Sequence, residues 1–360
     1  MRLGAIVVVG AGDPGSAQKP AVSTMPGLAA HRDLVGEPLP CVEVLGRSVL
    51  ERMIERLLRA GVEVISILAE AGTFCDVPGL RTKFERTTIE AVNDPKSAVD
   101  QKLTEYSQNG IEHAFVNSAD AYAETDLLDL FYFHREARQA ITHVFDRGGP
   151  LYLSVVDCGA KRQQPHRDVW PNEQEWKGAS YFVREYAIRL THPRDLRQLA
   201  ADTLLGRCER GPCGHEISPG LWIDEGAQIH RRARLVAPAY VGRRSKVLDD
   251  TLITRFTTIE RDCYIDCGTV IEDSSVLANS SVGIWLDVCH ALVNGNKLFS
   301  LERDVLVEIS DQRILHSTLP NRKAAAEVNK NAEKRAAAED CRKPLVTPKV
   351  WQFGANLIQE

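Results

Sequence analysis

Residues 223–282 read IDEGAQ-IHRRAR-LVAPAY-VGRRSK-VLDDTL-ITRFTT-IERDCY-IDCGTV-IEDSSV-LANSSV. The first position of the ten blocks holds Ile223, Ile229, Leu235, Val241, Val247, Ile253, Ile259, Ile265, Ile271 and Leu277, all branched aliphatics. Four residues after each stand Ala227, Ala233, Ala239, Ser245, Thr251, Thr257, Cys263, Thr269, Ser275 and Ser281, all small. Self-similarity at a short fixed period marks a solenoid, and a period of six points to a β-helix. Alternation along a strand puts the small residue and the next aliphatic on one face. Three hexads then close one triangular circuit, with aliphatics filling the interior and small residues near the corners, where space is short. Stacked circuits bury a continuous core, each touching only its neighbours. The blocks cover about three circuits. After Val282 the register slips by one, and Gly283-Ile284-Trp285-Leu286 no longer fits; Val288 and Leu292 are candidates for an imperfect further circuit or a cap.

Upstream the grammar is different. Ala5 to Val9 is a short apolar run ending in Gly10-Ala11-Gly12-Asp13-Pro14-Gly15, which reads as a buried strand entering a glycine-rich loop. Ser48 to Ala60 carries Val49, Leu50, Met53, Ile54, Leu57 and Leu58 at helical spacing, opens on a Ser48/Glu51 capping box and stops at Gly61. Val62 to Leu68 reads as a strand. Helices are expected over 96–108, 127–140 and 193–205, and strands over 113–116, 141–145 and 152–156. Tyr181 to Ile188 reads as extended, and Leu301 to Ile309 as a closing strand. Strands alternating with helices predict a parallel α/β sheet. From Asn321 to Lys343 the chain is rich in Ala, Lys and Glu and is expected to be a solvated helix or a disordered tail. The expected domains are an α/β unit over 1–205, a β-helix over 217–295, and a C-terminal strand, polar helix and tail over 296–360.

The chain has 360 residues and a net charge of -5, so no basic excess points to nucleic acid. Ala5 to Val9 is too short to span a bilayer, and no signal peptide is evident, so a cytoplasmic protein is expected. Nine scattered cysteines lack zinc-site spacing and are expected to be reduced thiols.

The segments Val44-Leu45-Gly46-Arg47-Ser48-Val49-Leu50-Glu51 and Glu55-Arg56-Leu57-Leu58-Arg59-Ala60-Gly61-Val62, followed by a hexapeptide region, resemble sugar-phosphate nucleotidyltransferases of the mannose-1-phosphate guanylyltransferase and glucose-1-phosphate nucleotidyltransferase type. The resemblance covers roughly residues 1 to 282. It implies a Rossmann-like nucleotidyltransferase domain followed by a left-handed parallel β-helix, since hexapeptide repeats of this kind wind to the left. It also implies transfer of a nucleotidyl group from an NTP to a sugar 1-phosphate, with release of pyrophosphate, in carbohydrate or cell-envelope biosynthesis. Asn117-Ser118-Ala119-Asp120 takes the place of the family's Gly-Asp, so Asp120 would hold Mg²⁺. Gly10, Gly12, Asp13 and Gly15 would form the nucleotide-binding loop. The family's Thr-Arg pair in that loop is absent here, and counting back from Arg47 puts Leu39 where the family has a lysine. Lys19 and Arg32 are the cations that a rearranged loop could bring in. The spacing Gly10-x-Gly12-x-x-Gly15 also matches a dinucleotide fingerprint, but Pro14 and the structureless stretch after it do not open the helix that fingerprint needs.

Two other functions remain open. One is a catalytically degenerate homologue that regulates or scaffolds a true enzyme. The other is a hexapeptide acyltransferase using His230 or His290 as general base; for both, a surface or capping histidine is the simpler reading. Asp262, Asp266 and Asp273 read as solvated charges and Cys263 as core. The flat faces and open ends of a β-helix predict a homo-oligomer.

Overall fold

The computed structural model describes residues 2–10, 34–70, 87–159, 169 and 176–319. The expected loop glycines Gly12 and Gly15, with Asp13, Lys19, Arg32 and the polar segment from Asn321 to Lys343, lie outside the described residues. The protein is mixed α/β, with one largely parallel sheet followed by three sheets of short parallel strands.

The first sheet has seven strands: β1 (Leu3–Val9), β2 (Val64–Glu70), β3 (Thr87–Val92), β4 (His113–Ser118), β5 (Ile141–Asp146), β6 (Gly149–Asp157) and β7 (Ala179–Phe182). Their order is β7-β5-β6-β4-β1-β2-β3. β1 pairs in parallel with both β2 and β4, whereas β6 runs antiparallel to β4 and β5. The helices are α1 (Val49–Arg59), α2 (Pro95–Gln108), α3 (Leu127–Ala137) and α4 (Pro193–Leu204). All of β1 is buried, as a continuous apolar strand covered on both faces must be. Gly4 lets α2 approach closely: a Cβ there would meet the Tyr106 ring at 2.5 Å. α3 stops three residues earlier than expected, at Arg138, whose φ of 50° ends the helix. The extended reading of Tyr181 to Ile188 resolves into β7 and a separate strand, Ala187–Arg189, which pairs with Ala121–Ala123. β3 was not anticipated, because its Thr-Thr-Ile-Glu-Ala-Val is only half-buried and lacks an apolar run.

From Leu221 the chain visits three sheets in rotation. Leu221–Ile223 pairs with Ala239–Val241, Gln228–Ile229 with Lys246–Val247, and Arg234–Leu235 with Leu252–Thr254, all in parallel. The third sheet contains four such strands, so the stack holds four circuits rather than about three. The small hexad positions do more than save space. Ser245 Oγ donates to Glu260 O (2.6 Å), Thr257 Oγ1 to Ile271 O (3.1 Å) and Thr269 Oγ1 to Gly283 O (2.6 Å), tying each circuit to the next. These bonds satisfy corner carbonyls that a bare turn would leave buried.

The structure corrects the register at two places. Leu252 pairs with Val270, an offset of 18, but Thr258 pairs with Ser275, an offset of 17. One slip therefore falls at Asp273–Ser275, before Val282, and a second falls between Val288 and Val293, since Ser275 pairs with Leu292, again an offset of 17. Val276, not Leu277, enters the interior, and Val282, Val288 and Val293 follow it. Leu277 and Leu292 turn the other way, into the core shared with the α/β sheet. Alternation explains the swap, because a one-residue slip exchanges the two faces of a strand. Beyond Asn294 the first coil sheet is closed by two antiparallel strands, Lys297–Ser300 and Val305–Glu308. Cys263 is buried as expected.

Candidate functional site

In an open α/β sheet, ligands bind at the carboxyl ends of the strands where the strand order reverses. Here the order reverses between β1 and β4, since β1 leads to β2 on one side and β4 lies on the other. Val8 is paired with Ser118, and the N–H of Ala119 donates to Val8 O at 2.8 Å. Gly10 and Asp120, each two residues beyond that pair, therefore emerge at the same sheet edge. Gly10 has φ 84°, which only glycine adopts freely.

Asp120 is half-buried. Its Oδ2 accepts from Ser118 Oγ at 3.1 Å, and its carbonyl accepts from Leu190 N at 2.6 Å. The bond to Leu190 ties the turn to the short strand pair 121–123/187–189 and fixes where the carboxylate stands. Among the described residues no group of three or more His, Cys, Asp or Glu is placed to hold a metal. Mg²⁺ is commonly held by one or two carboxylates together with substrate phosphates and water. Behind the turn a cavity of about 20 Å³, lined by Met53, Arg56, Asn117, Ala121 and Leu153 among others, has room for a single water.

Of the two family-like segments, Arg56 and Leu57 of the second line that cavity, while the first, Val44 to Glu51, meets the coil. Glu43–Val44 and Arg47–Ser48 form a two-stranded hairpin turning at Leu45 (φ 57°) and Gly46 (φ 83°). Ser48 caps α1 through the expected box: Glu51 N donates to Ser48 Oγ (3.1 Å) and Ser48 N to Glu51 Oε2 (2.9 Å). The turn itself docks on the coil. Leu45 N and Gly46 N donate to Glu260 Oε1 and Oε2 at 2.8 and 3.0 Å, and Arg261 Nε donates to Glu43 Oε2 at 2.6 Å. A Cβ at Gly46 would stand 2.7 Å from both Cys213 Cβ and Tyr240 Oη, so the joint needs glycine there. Burial, and then the neighbouring Glu43, push the Glu260 carboxyl up to about 8. Burial also raises Glu43, against the pull of Arg261. Nothing in the hexad pattern singles out Glu260, since it occupies an ordinary outward position. The only available signal was the turn Leu45-Gly46, whose two adjacent N–H groups require an acceptor.

His230 is exposed at a corner. His290 bonds through Nδ1 to Asp273 Oδ2 at 2.6 Å, and Arg197 of α4 holds the other Asp273 oxygen at 2.5 Å. Asp262 takes two bonds from Arg244, which hold its carboxyl below the ordinary range. Asp262 is thus ion-paired to the neighbouring circuit and Asp273 to α4, rather than simply solvated. No helix among the described residues is long and apolar enough to cross a membrane. No protein-family model matches the chain, and no curated protein matches it.

Proposed function

We propose that this chain is a sugar-1-phosphate nucleotidyltransferase-like protein, converting an NTP and a sugar 1-phosphate to an NDP-sugar and pyrophosphate. The observation that carries the reading is the convergence of Gly10 and Asp120 at the strand-order reversal, the place where a nucleotide phosphate and its metal meet in open α/β sheets. The coil then winds left-handed, as hexapeptide repeats do, and joins copies of the chain. In this reading the backbone N–H groups of the loop after β1, from Gly10 through Gly12, Asp13 and Gly15, cradle the phosphates. Asp120 carries Mg²⁺, which neutralises charge on the phosphates during in-line displacement. The Ser118 hydroxyl orients Asp120, and the strand pair behind it keeps the carboxylate at the sheet edge.

The second reading, a regulatory or scaffold homologue, is favoured by one observation: the first of the two family-like segments, Val44 to Glu51, serves the joint to the coil. Pyrophosphate release by the purified protein with Mg²⁺, across a panel of NTPs and sugar 1-phosphates, separates the two. The enzyme reading expects turnover that falls by about 100-fold or more in Asp120→Ala. Folded protein with no turnover on any pair leaves the scaffold.

A further inference from the structure

We propose that two copies of this chain join through the lower end of the coil, where its first circuit begins, end to end about a two-fold axis that crosses the second coil sheet. This inference rests on the statement that the coil joins copies of the chain, and not on the reaction assigned above.

The two ends of the coil differ. Above, Lys297–Ser300 and Val305–Glu308 extend the first coil sheet, and Leu315–Ser317 pairs with Ser280–Val282 of the second. The interior beneath them is sealed: Val288 is 4% exposed, Leu315 1% and Val293 0%. Below, His215–Ser218 extends the first coil sheet alone. Gln228–Ile229 and Arg234–Leu235 end the second and third sheets, and among the described residues no strand lies beneath them. The N–H groups of Gln228, His230, Arg234 and Val236 all donate upward, to the carbonyls of Ser245, Val247, Thr251 and Ile253. The lower edges of these two strands are an open template for another chain.

The interior is open there too. Val241, Val247, Ile253, Ile259, Ile265 and Ile271 are at most 1% exposed, whereas Ile223, Ile229 and Leu235, at the same hexad position in the first lap, are only half-buried. Ile217 and Val236, 59% and 45% exposed, add apolar surface at this end. A repeat array needs a terminal unit with a polar outer face, and this lap ends in aliphatics instead.

Charge selects the occupant. The corner before Gln228 is acidic, with Asp224 and Glu225; the corner after Ile229 is basic, with Arg231 and Arg232. The Glu225 side chain is 83% exposed and stands 3.6 Å from Arg243. Arg232 is ion-paired with Asp249, but Arg231 is exposed and has no ion partner among the described residues. A two-fold axis through the second coil sheet exchanges the corners that flank it. Each copy then sets its Glu225 against the other's Arg231, with the two Ile229 side chains facing across the axis. The first coil sheet, one strand longer, meets the third sheet of the other copy, whose last strand comes latest in the lap. Such self-complementarity is what a two-fold dimer requires, and a second copy supplies both the triangular outline and the reversed order of charge.

The test uses the full chain and reads mass by analytical ultracentrifugation. The wild type should sediment as two chains of 39.9 kDa. Glu225→Arg and Arg231→Glu each bring like charges together twice per dimer, and each should raise the dissociation constant about tenfold or more. Mixed one to one, the two variants restore both attractive pairs, and the mixture should recover the wild-type constant. Ile229→Asp puts a carboxylate between the apolar ends and should leave single chains. Should its first lap unravel, the variants at the exposed rim still decide. A wild type that sediments as one chain overturns the inference together with the statement it rests on. A dimer whose constant ignores Glu225→Arg and Arg231→Glu, or a mixture no tighter than its components, overturns the inference alone.

Discussion

The coil and the α/β sheet solve the same packing problem in opposite ways. In the coil each interior aliphatic sits directly above another from 17 or 18 residues earlier, so Val241, Ile259 and Val276 occupy equivalent surroundings. In the sheet, β1 is packed between strands that the sequence separates widely, Val64–Glu70 and His113–Ser118, with α1 and α2 on the faces. Its residues have no equivalents: Ile6 faces the cluster with Tyr106, while Ala5, Val7 and Val9 face the one with α1. Stability in the coil therefore accumulates from nearest-neighbour steps, whereas the sheet depends on long loop closures that make its parts unlike one another.

The largest effects should show this difference directly. Ile253→Ala, Ile259→Ala and Ile265→Ala each remove a fully buried side chain from the coil interior. Each should cost about 2–5 kcal/mol, and denaturant titration should find the three values close together. The matched set Ile6→Ala, Ile65→Ala and Ile67→Ala should scatter more widely; equal scatter in both sets would remove the contrast. Next, Gly4→Val drives a side chain into the Tyr106 ring and should cost about 1–3 kcal/mol, with the loss of protection in hydrogen exchange centred on β1 and α2. Ser48→Ala removes the cap of α1 and should cost about 1 kcal/mol. The smallest effect belongs to the coil's surface. Arg244→Gln should return the Asp262 carboxyl toward its ordinary value, read by NMR titration, while changing stability by about 0.5 kcal/mol or less. Because the folded Asp262 carboxyl is depressed, that small contribution is present above 3.8 and is lost as pH falls through its lowered value.

The same contrast governs how much could be read beforehand. Repetition made the coil legible: one register error would have broken ten hexads; the slip at Asp273–Ser275 was misplaced because Leu277 and Val276 are both aliphatic and either fits the count, and a second slip lies between Val288 and Val293. The capping box at Ser48 was legible because both of its partners lie within four residues. β3 was not, since its pairing with β2 is decided by neighbours and not by its own composition. At the candidate site, Gly10 and Asp120 could each be picked out as a strand-end residue, but their adjacency depends on β1 lying beside β4. Glu260 was beyond reach for the same reason: its partners Leu45 and Gly46 precede it by more than 200 residues.

The one-residue shortening at Asp273–Ser275 has a consequence for how such a chain can change its length. Both 17- and 18-residue laps stack without interrupting the ladders on either side. The corner works as an expansion joint: it absorbs a lost residue locally in two successive laps, and the strands on either side still pair. Whole laps can then be gained or lost like floors in a tower, while the sheet at its base, where no strand repeats another, admits no such editing.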